Sequence, residues 1–182
     1  MKKLQIGIMG SAADLNYSQE ALSFAKKLGR LIAKSGNILI YGAESTYTSL
    51  STEAAKEASN YGGITVGVAG GKSGKLFGDY KPSILINSGL EIGGGREFTL
   101  VLSCDVIIAI SGGSGTLNEI AIAYQAGIPI ISVDKFDGWS SKLANNYLDE
   151  RKRLKCLKAS TAAEALKKAI KEGGKKYDNS KC

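Results

Sequence analysis

The six residues Ser111-Gly-Gly-Ser-Gly-Thr116 follow an apolar run, Val106 to Ile110, and precede a stretch with helical spacing. A turn of this kind is built to hold an anion. Glycines let backbone N–H groups approach a phosphate, the N-terminus of a helix adds partial positive charge, and Thr116 brings a hydroxyl. The expected phosphate or ligand contacts are therefore Gly112, Gly113, Ser114, Gly115 and Thr116. Glu119 follows three residues later, on the same side of the first helical turns. A carboxylate beside a phosphate is electrostatically awkward, so Glu119 either faces a non-phosphate part of a ligand, such as a ribose, or is a capping-box partner of Thr116. Upstream, Arg96 offers an always-charged fork that can bind phosphate or ribose.

Composition removes several other chemistries. The 182 residues include no histidine, which excludes Ser-His-Asp, Cys-His and His-metal mechanisms together. Three cysteines, Cys104, Cys156 and Cys182, form no CxxC pair, so neither a disulfide framework nor a cysteine zinc site is suggested. Cys104 and Cys156 read as packing residues beside or within buried strands. No metal and no cofactor are expected, and a reducing cytoplasmic setting fits the thiols best. No apolar run approaches the roughly 20 residues of a membrane span, and no signal peptide is read, so no membrane attachment is expected.

The net charge of +7 is unevenly placed: residues 1–141 carry 12 basic and 12 acidic groups, residues 142–182 carry 12 and 5. Arg151-Lys152-Arg153 and Lys175-Lys176 lack the interleaved aromatics of a single-strand binder, so a solvated basic face is expected rather than a nucleic-acid partner.

The elements that must position these groups alternate between short apolar runs and helical periodicity, the pattern of a parallel sheet covered on both faces. Strands are expected at Leu4 to Met9, Ile38 to Tyr41, Ile64 to Val68, Ser83 to Ile86, Val106 to Ile110, Ile130 to Val133 and near Leu154 to Leu157. Helices are expected around Ala21 to Ile32, Leu50 to Ala58, Arg96 to Leu102 after the run Gly93-Gly94-Gly95, Leu117 to Tyr124 ending at Gly127, and Ala162 to Lys171. Thr161 and Glu164 form a capping box at the last of these. Residues 69–80 read as a surface loop, in which Lys72 and Lys75 are lid or surface groups, and 136–155 as loop plus helix. The fold class is α/β: a Rossmann-like, doubly wound, mainly parallel sheet in one domain, residues 1–173, with 174–182 a flexible basic tail. Asp105 either fixes the loop before its strand or touches ligand, and Trp139 either covers an edge of the site or packs in a subunit contact.

Arg96, then Asp105, then the strand and SGGSGTLNE resemble the R…D…PGGxGTxxE arrangement of the Lonely-guy-type proteins, a Rossmann-like family often mislabelled lysine decarboxylases. The resemblance is greater to the branch that includes molybdenum-cofactor carrier proteins, in which the Arg follows a glycine-rich segment. It runs from Gly7 through Ile131, and its specific part is Gly93 to Glu119. It implies a small-molecule, nucleotide-like ligand and a homo-oligomer, a dimer or tetramer. In the Lonely-guy enzymes, which are phosphoribohydrolases of nucleoside 5′-monophosphates, the matching Arg and Glu are catalytic, which would make Arg96 and Glu119 catalytic here. A carboxylate stabilising an oxocarbenium-like charge makes that chemistry coherent. Gly10 and Ser11 after the first strand, and Gly42 after the second, complete the candidate ligand contacts.

Three departures shift the expectation from hydrolysis toward binding, with a pterin-type cofactor among the candidate ligands. Ser111 replaces proline, Glu97 stands where the cytokinin-activating enzymes have lysine, and the second family loop reads Gly42-Ala-Glu-Ser-Thr-Tyr-Thr-Ser-Leu50 instead of a Gly-Leu-Met or Gly-Ile-Met step. Glu44 in that loop would repel a phosphate unless it faces away, while Ser45, Thr46 and Thr48 could donate hydrogen bonds. Decarboxylation through pyridoxal phosphate is not expected, since the glycine-turn motif holds no lysine for a Schiff base.

Overall fold

A computed structural model of the chain describes residues 2–92 and 94–178, with side chains through residue 175. Gly93, Cys182 and the rest of 179–182 lie outside the described residues. Seven strands form one parallel sheet: β1 (Gln5–Gly10), β2 (Ile38–Ala43), β3 (Thr65–Ala69), β4 (Ile84–Asn87), β5 (Val106–Ile110), β6 (Ile130–Val133) and β7 (Leu157–Ala159). Their spatial order is β4-β3-β2-β1-β5-β6-β7, with every neighbouring pair parallel. This is the doubly wound, Rossmann-like α/β fold. The chain winds outward from β1 in one direction, returns, and winds outward in the other, so the order reverses between β1 and β5. In open sheets of this kind the crevice outside the carboxyl ends of the strands at that reversal is where ligands bind.

The period-2 alternation of each strand feeds two separate cores. Ile6 and Ile8 of β1 and Val106, Ile108 and Ile110 of β5 pack with α1 (Gln19–Lys34), α2 (Leu50–Asn60) and α6 (Ala162–Asp178). Met9 of β1 and Ile107 and Ala109 of β5 face the other way, onto α3 (Gly95–Leu102) and α4 (Ser114–Ala126). All five residues of β5 are buried, as a central strand with both faces covered requires. The α1 helix shows how sequence sets these contacts. Ser18 caps it by accepting from the Ala21 N–H, and Ala21, Phe24, Ala25, Leu28 and Ile32 form its buried stripe.

Two boundaries differ from expectation. Residues 154–156 read as a strand, but Cys156 exchanges backbone hydrogen bonds with Asn145 and Asn146, and Lys155 bridges Tyr147 antiparallel, so β7 begins only at Leu157. The last helix passes Gly173 and runs to Asp178, because Gly173 lies buried against Leu4 and Val106. Residues 174–178, expected within the tail, are thus helical. The Thr161–Glu164 cap forms with a one-residue offset. Thr161 accepts from the Glu164 N–H, whereas the Glu164 carboxylate reaches back to the N–H of Ser160. The ambiguous stretch after β6 contains a short helix, α5 (Trp139–Leu143).

Candidate functional site

The loops leaving β1 and β5 meet at the reversal point and are tied together there. The Ser11 hydroxyl donates to the Ser111 hydroxyl (2.9 Å) and accepts from the Gly112 N–H (2.8 Å). The start of α5 clasps the same turn from the far side: Trp139 and Ser140 donate backbone N–H groups to the carbonyls of Gly112 and Ser111, and the Ser111 hydroxyl donates to the Asp137 carbonyl. These bonds hold Ser111 at φ 57° and Gly112 at φ 99°, a left-handed pair that turns the chain sharply from strand into helix.

The turn places Gly113 at the N-cap of α4, with no side chain capping the helix. The backbone N–H groups of Gly113, Ser114, Gly115 and Thr116 find no acceptor in the protein, and Ser114 and Gly115 are exposed. Four unpaired donors thus lie at the positive terminus of the helix, where the sequence led us to expect an anion. Two expectations change. The Gly112 N–H is held by Ser11 and so is not among the free donors. Glu119 is not the capping partner of Thr116, which is the third residue of the helix rather than its cap.

Two cavities flank this turn and share Ser11, Leu15 and Gly113. The larger, about 510 Å³, lies between the N-termini of α1 and α4 and is lined also by Asn16, Tyr17, Ser18 and Lys135. The smaller, about 240 Å³, joins the turn to the residues around Arg96: Asp14, Glu44, Tyr47, Glu97 and Glu119. Gly10, Ser11, Gly113, Ser114, Gly115, Thr116, Arg96 and Glu119, all named from the sequence, line the smaller cavity, and Gly112 lines the larger. Gly42 lines neither. A Cβ there would stand 2.0 Å from Nη1 of Arg96, so this glycine makes room for the guanidinium rather than for ligand.

Arg96 is 3% exposed and its Nη2 lies 2.7 Å from Glu44 Oε1 and 3.0 Å from Glu97 Oε1. The two carboxylates that departed from the family pattern are therefore its ion-pair partners, and Glu44 turns toward the cation instead of toward the glycine turn. Beside them, Glu119 is 9% exposed and its carboxyl is pushed up to about 8 by burial, which outweighs the pull of Arg96; Glu97 and Glu44 raise it further. The β2–α2 loop that carries Glu44 is anchored by the Ala13 N–H donating to the Thr48 carbonyl and the Leu50 N–H to the Ser11 carbonyl. Its hydroxyls have structural duties: Ser49 caps α2 and Thr48 donates to Glu53.

Other candidates fall away from the site. Asp105 sits at the opposite end of the sheet, where its carboxylate accepts the Gln5 N–H and its own N–H donates to the Gln5 carbonyl, so it fixes the strand entry. Cys104 is buried, and burial pushes its thiol up. The sequence reading missed Asp14, Tyr47, Asn16, Tyr17 and Lys135, whose only signal is position, after the carboxyl ends of β1, β2 and β6. Among the described residues, no group of His, Cys, Asp or Glu is arranged to hold a metal ion, and no helix is long and apolar enough to cross a membrane.

A family model described as the SLOG cluster4 family matches residues 3–166. The chain belongs to the SLOG cluster4 family. Solved structures similar to this SLOG chain include TM1055, at 26% identity and a TM-score of 0.81 over 93% of this chain and 99% of that one. The molybdenum cofactor binding protein of the phototrophic bacterium Rippkaea orientalis is 27% identical, with a TM-score of 0.75 over 92% and 95% of the two chains. The Moco carrier protein of Chlamydomonas reinhardtii is 30% identical, with a TM-score of 0.71 over 96% and 99%. The resemblance to the molybdenum-cofactor-carrier branch, read from Gly7 through Ile131, is thus borne out, and it extends over nearly the whole chain.

Proposed function

We propose that this protein binds a phosphorylated, nucleotide-like small molecule, with the anionic group on the N–H groups of Gly113 to Thr116 and the remainder of the ligand in the adjoining cavities. The observation that carries this reading is the row of four unpaired backbone donors at the N-terminus of α4, set at the switch point of the sheet. Relatives named as molybdenum cofactor binding and carrier proteins support a ligand of the phosphorylated pterin kind, carried as cargo. Hydrolysis of a nucleoside 5′-monophosphate by Arg96 and Glu119 is less well supported. Arg96 is already held by Glu44 and Glu97, and Glu119 is largely protonated at neutral pH, so neither is poised to hold phosphate or to stabilise a developing cation.

Gly115→Glu tests the reading. A Cβ at Gly115 meets nothing within 4 Å, and a carboxylate in the first turn of a helix is favourable, so the fold tolerates it. The new charge competes with the ligand anion. Thermal-shift titration with nucleoside 5′-monophosphates should show stabilisation of the wild type and at least about tenfold weaker binding by the variant. Equal binding by both would remove the turn from the site. Free base released by the wild type but not by Glu119→Ala would restore the hydrolase.

The reading extends to a homo-oligomer. Phe98 and Leu102, one turn apart on α3, are 53% and 57% exposed, and Leu90 and Ile92 are exposed beside the same helix. The buried free thiols Cys104 and Cys156 suit a reducing cytoplasm.

A further inference from the structure

The smaller cavity has two walls of opposite sign. One is the turn from Gly113 to Thr116, with its unpaired N–H groups at the N-terminus of α4. The other gathers Asp14, Glu44, Glu97 and Glu119 around a single cation, Arg96. Arg96 does not neutralise that wall. Its Nη2 is taken by Glu44 and Glu97, its Nη1 is packed against Gly42, and Nη1 and Nε are both buried away from the cavity. Even with Glu119 protonated, three carboxylates stand against one guanidinium. The neighbouring phenol registers the excess: burial raises Tyr47, and the charges of Glu44 and Asp14 raise it further against the pull of Arg96. Acceptors on this wall are also open. Asp14 is exposed and makes no ion pair or hydrogen bond with the described residues, and Glu44 gives Arg96 only its Oε1. Glu119 is nine-tenths buried, lines the cavity and finds no hydrogen-bond partner among the described residues. A polar group at that depth is destabilising unless something in the cavity completes it. A second anion cannot, because the wall is already negative. A metal ion is not indicated either, since no group of His, Cys, Asp or Glu among the described residues is arranged to hold one.

An ammonium group fits this wall. It brings the missing positive charge and offers donors only, to a surface that offers acceptors. Resting on the reading that the α4 turn holds the anion of the same ligand, we infer that the ligand is an amine-bearing phosphate ester whose ammonium group sits against Asp14, Glu44 and Glu119. Asp14 and Glu44 supply the charge. Glu119, protonated, supplies a carbonyl oxygen as acceptor and keeps its O–H for an oxygen of the ligand. A neutral carboxyl suits both walls, whereas an ionised one would repel the anion held one helical turn earlier. A neutral ring placed here would leave the charge of the wall uncompensated. Both walls line one cavity of about 240 Å³, so a short linker between phosphate and amine spans them.

The test is a calorimetric titration of the full chain at neutral pH with 2-aminoethyl, 4-aminobutyl and 6-aminohexyl phosphate, each against the ethyl, butyl or hexyl phosphate of the same length, and with butylamine. At least one aminoalkyl phosphate should bind about tenfold or more tightly than its alkyl counterpart, the gain expected of a hydrogen bond to a charged group. Asp14→Lys places a cation on the exposed rim of the cavity. It should abolish that preference and tighten the alkyl phosphates, a gain that misfolding cannot mimic. Glu119→Gln keeps a carbonyl acceptor and a donor and should retain the preference; its loss there would overturn the neutral role given to Glu119. Alkyl phosphates that bind, with no amine at any length improving on them, would overturn the ammonium subsite and leave the turn intact. Butylamine binding as tightly as 4-aminobutyl phosphate would support the subsite and sink the turn. A preference for the amine that Asp14→Lys leaves unchanged would overturn its assignment to this cavity, and no binding of any compound would overturn both.

Discussion

The two halves of the site solve opposite electrostatic problems with opposite materials. On the α4 side, the positive potential comes from the main chain: unpaired N–H groups on a largely exposed, nearly side-chain-free turn. On the α3 side, buried charged side chains dominate, with Arg96 balanced by Glu44 and Glu97 and with Glu119 kept largely protonated. The first half draws its character from helix geometry and tolerates change at its surface. The second is a set of mutually dependent buried charges, and losing one leaves the others uncompensated. The contrast teaches that, under the proposed reading, ligand affinity and fold stability are separable at the turn and entangled at the cluster.

Arg96→Ala should break the contrast most severely. Removing the cation leaves the buried Glu97 and the half-buried Glu44 without their partner, a loss of about 3 to 5 kcal/mol at neutral pH. A urea midpoint measured at pH 7 checks this, and an unchanged midpoint would show that the cluster carries no structural weight. The loss should shrink in acid, where the orphaned carboxylates take up protons.

Next in size is Glu119→Gln. The folded protein holds the Glu119 proton up to about pH 8, well above the ordinary carboxylate value. Protonation of the folded form therefore contributes stability that is complete below the unfolded pKa and lost as pH rises from about 4.5 to 8. Glutamine does not titrate, so the variant should gain on the wild type across that window, by a few kcal/mol at pH 9 on the order expected for such a shift. Melting curves for both proteins from pH 5 to 9 give the answer. Parallel curves would mean that Glu119 titrates as an exposed carboxylate does.

At the turn the expected effect on stability is small. Gly115→Glu should change the unfolding free energy by about 0.5 kcal/mol or less, even as it removes anion binding. A large destabilisation would show that the turn, like the cluster, is structurally indispensable. Smallest for the folded subunit is Phe98→Asp, on the outward face of the helix whose inward face carries Arg96. It should leave the melting temperature of dilute protein nearly unchanged while weakening self-association, as read by sedimentation velocity over a range of concentrations. A monomer in both proteins at every concentration would end the oligomer reading.

The sequence was most legible where one physical signal acted alone. The apolar run at Val106 to Ile110 coincides with β5, and the helix after the glycine turn ends at Gly127 in the left-handed conformation, as expected. Legibility declined where distant segments compete. Lys155 and Cys156 carry a strand-like pattern but pair with a neighbouring segment instead of the sheet. In the site, the glycine turn, Arg96 and Glu119 could be named from motif spacing. That Glu44 and Glu97 partner Arg96 could not be, since both read as departures and Glu44 lies 52 positions from Arg96. Nor does any local signal tell that Gly42 serves a side chain on another helix.

That last contact carries an evolutionary consequence. With Nη1 of Arg96 occupying the place of a Cβ at position 42, the two positions are under one selection: a side chain at 42 is a lesion of the arginine in disguise. Among related proteins, glycine at this place should be inherited together with the arginine. Where the arginine is absent, the constraint lifts and residue 42 is free to drift.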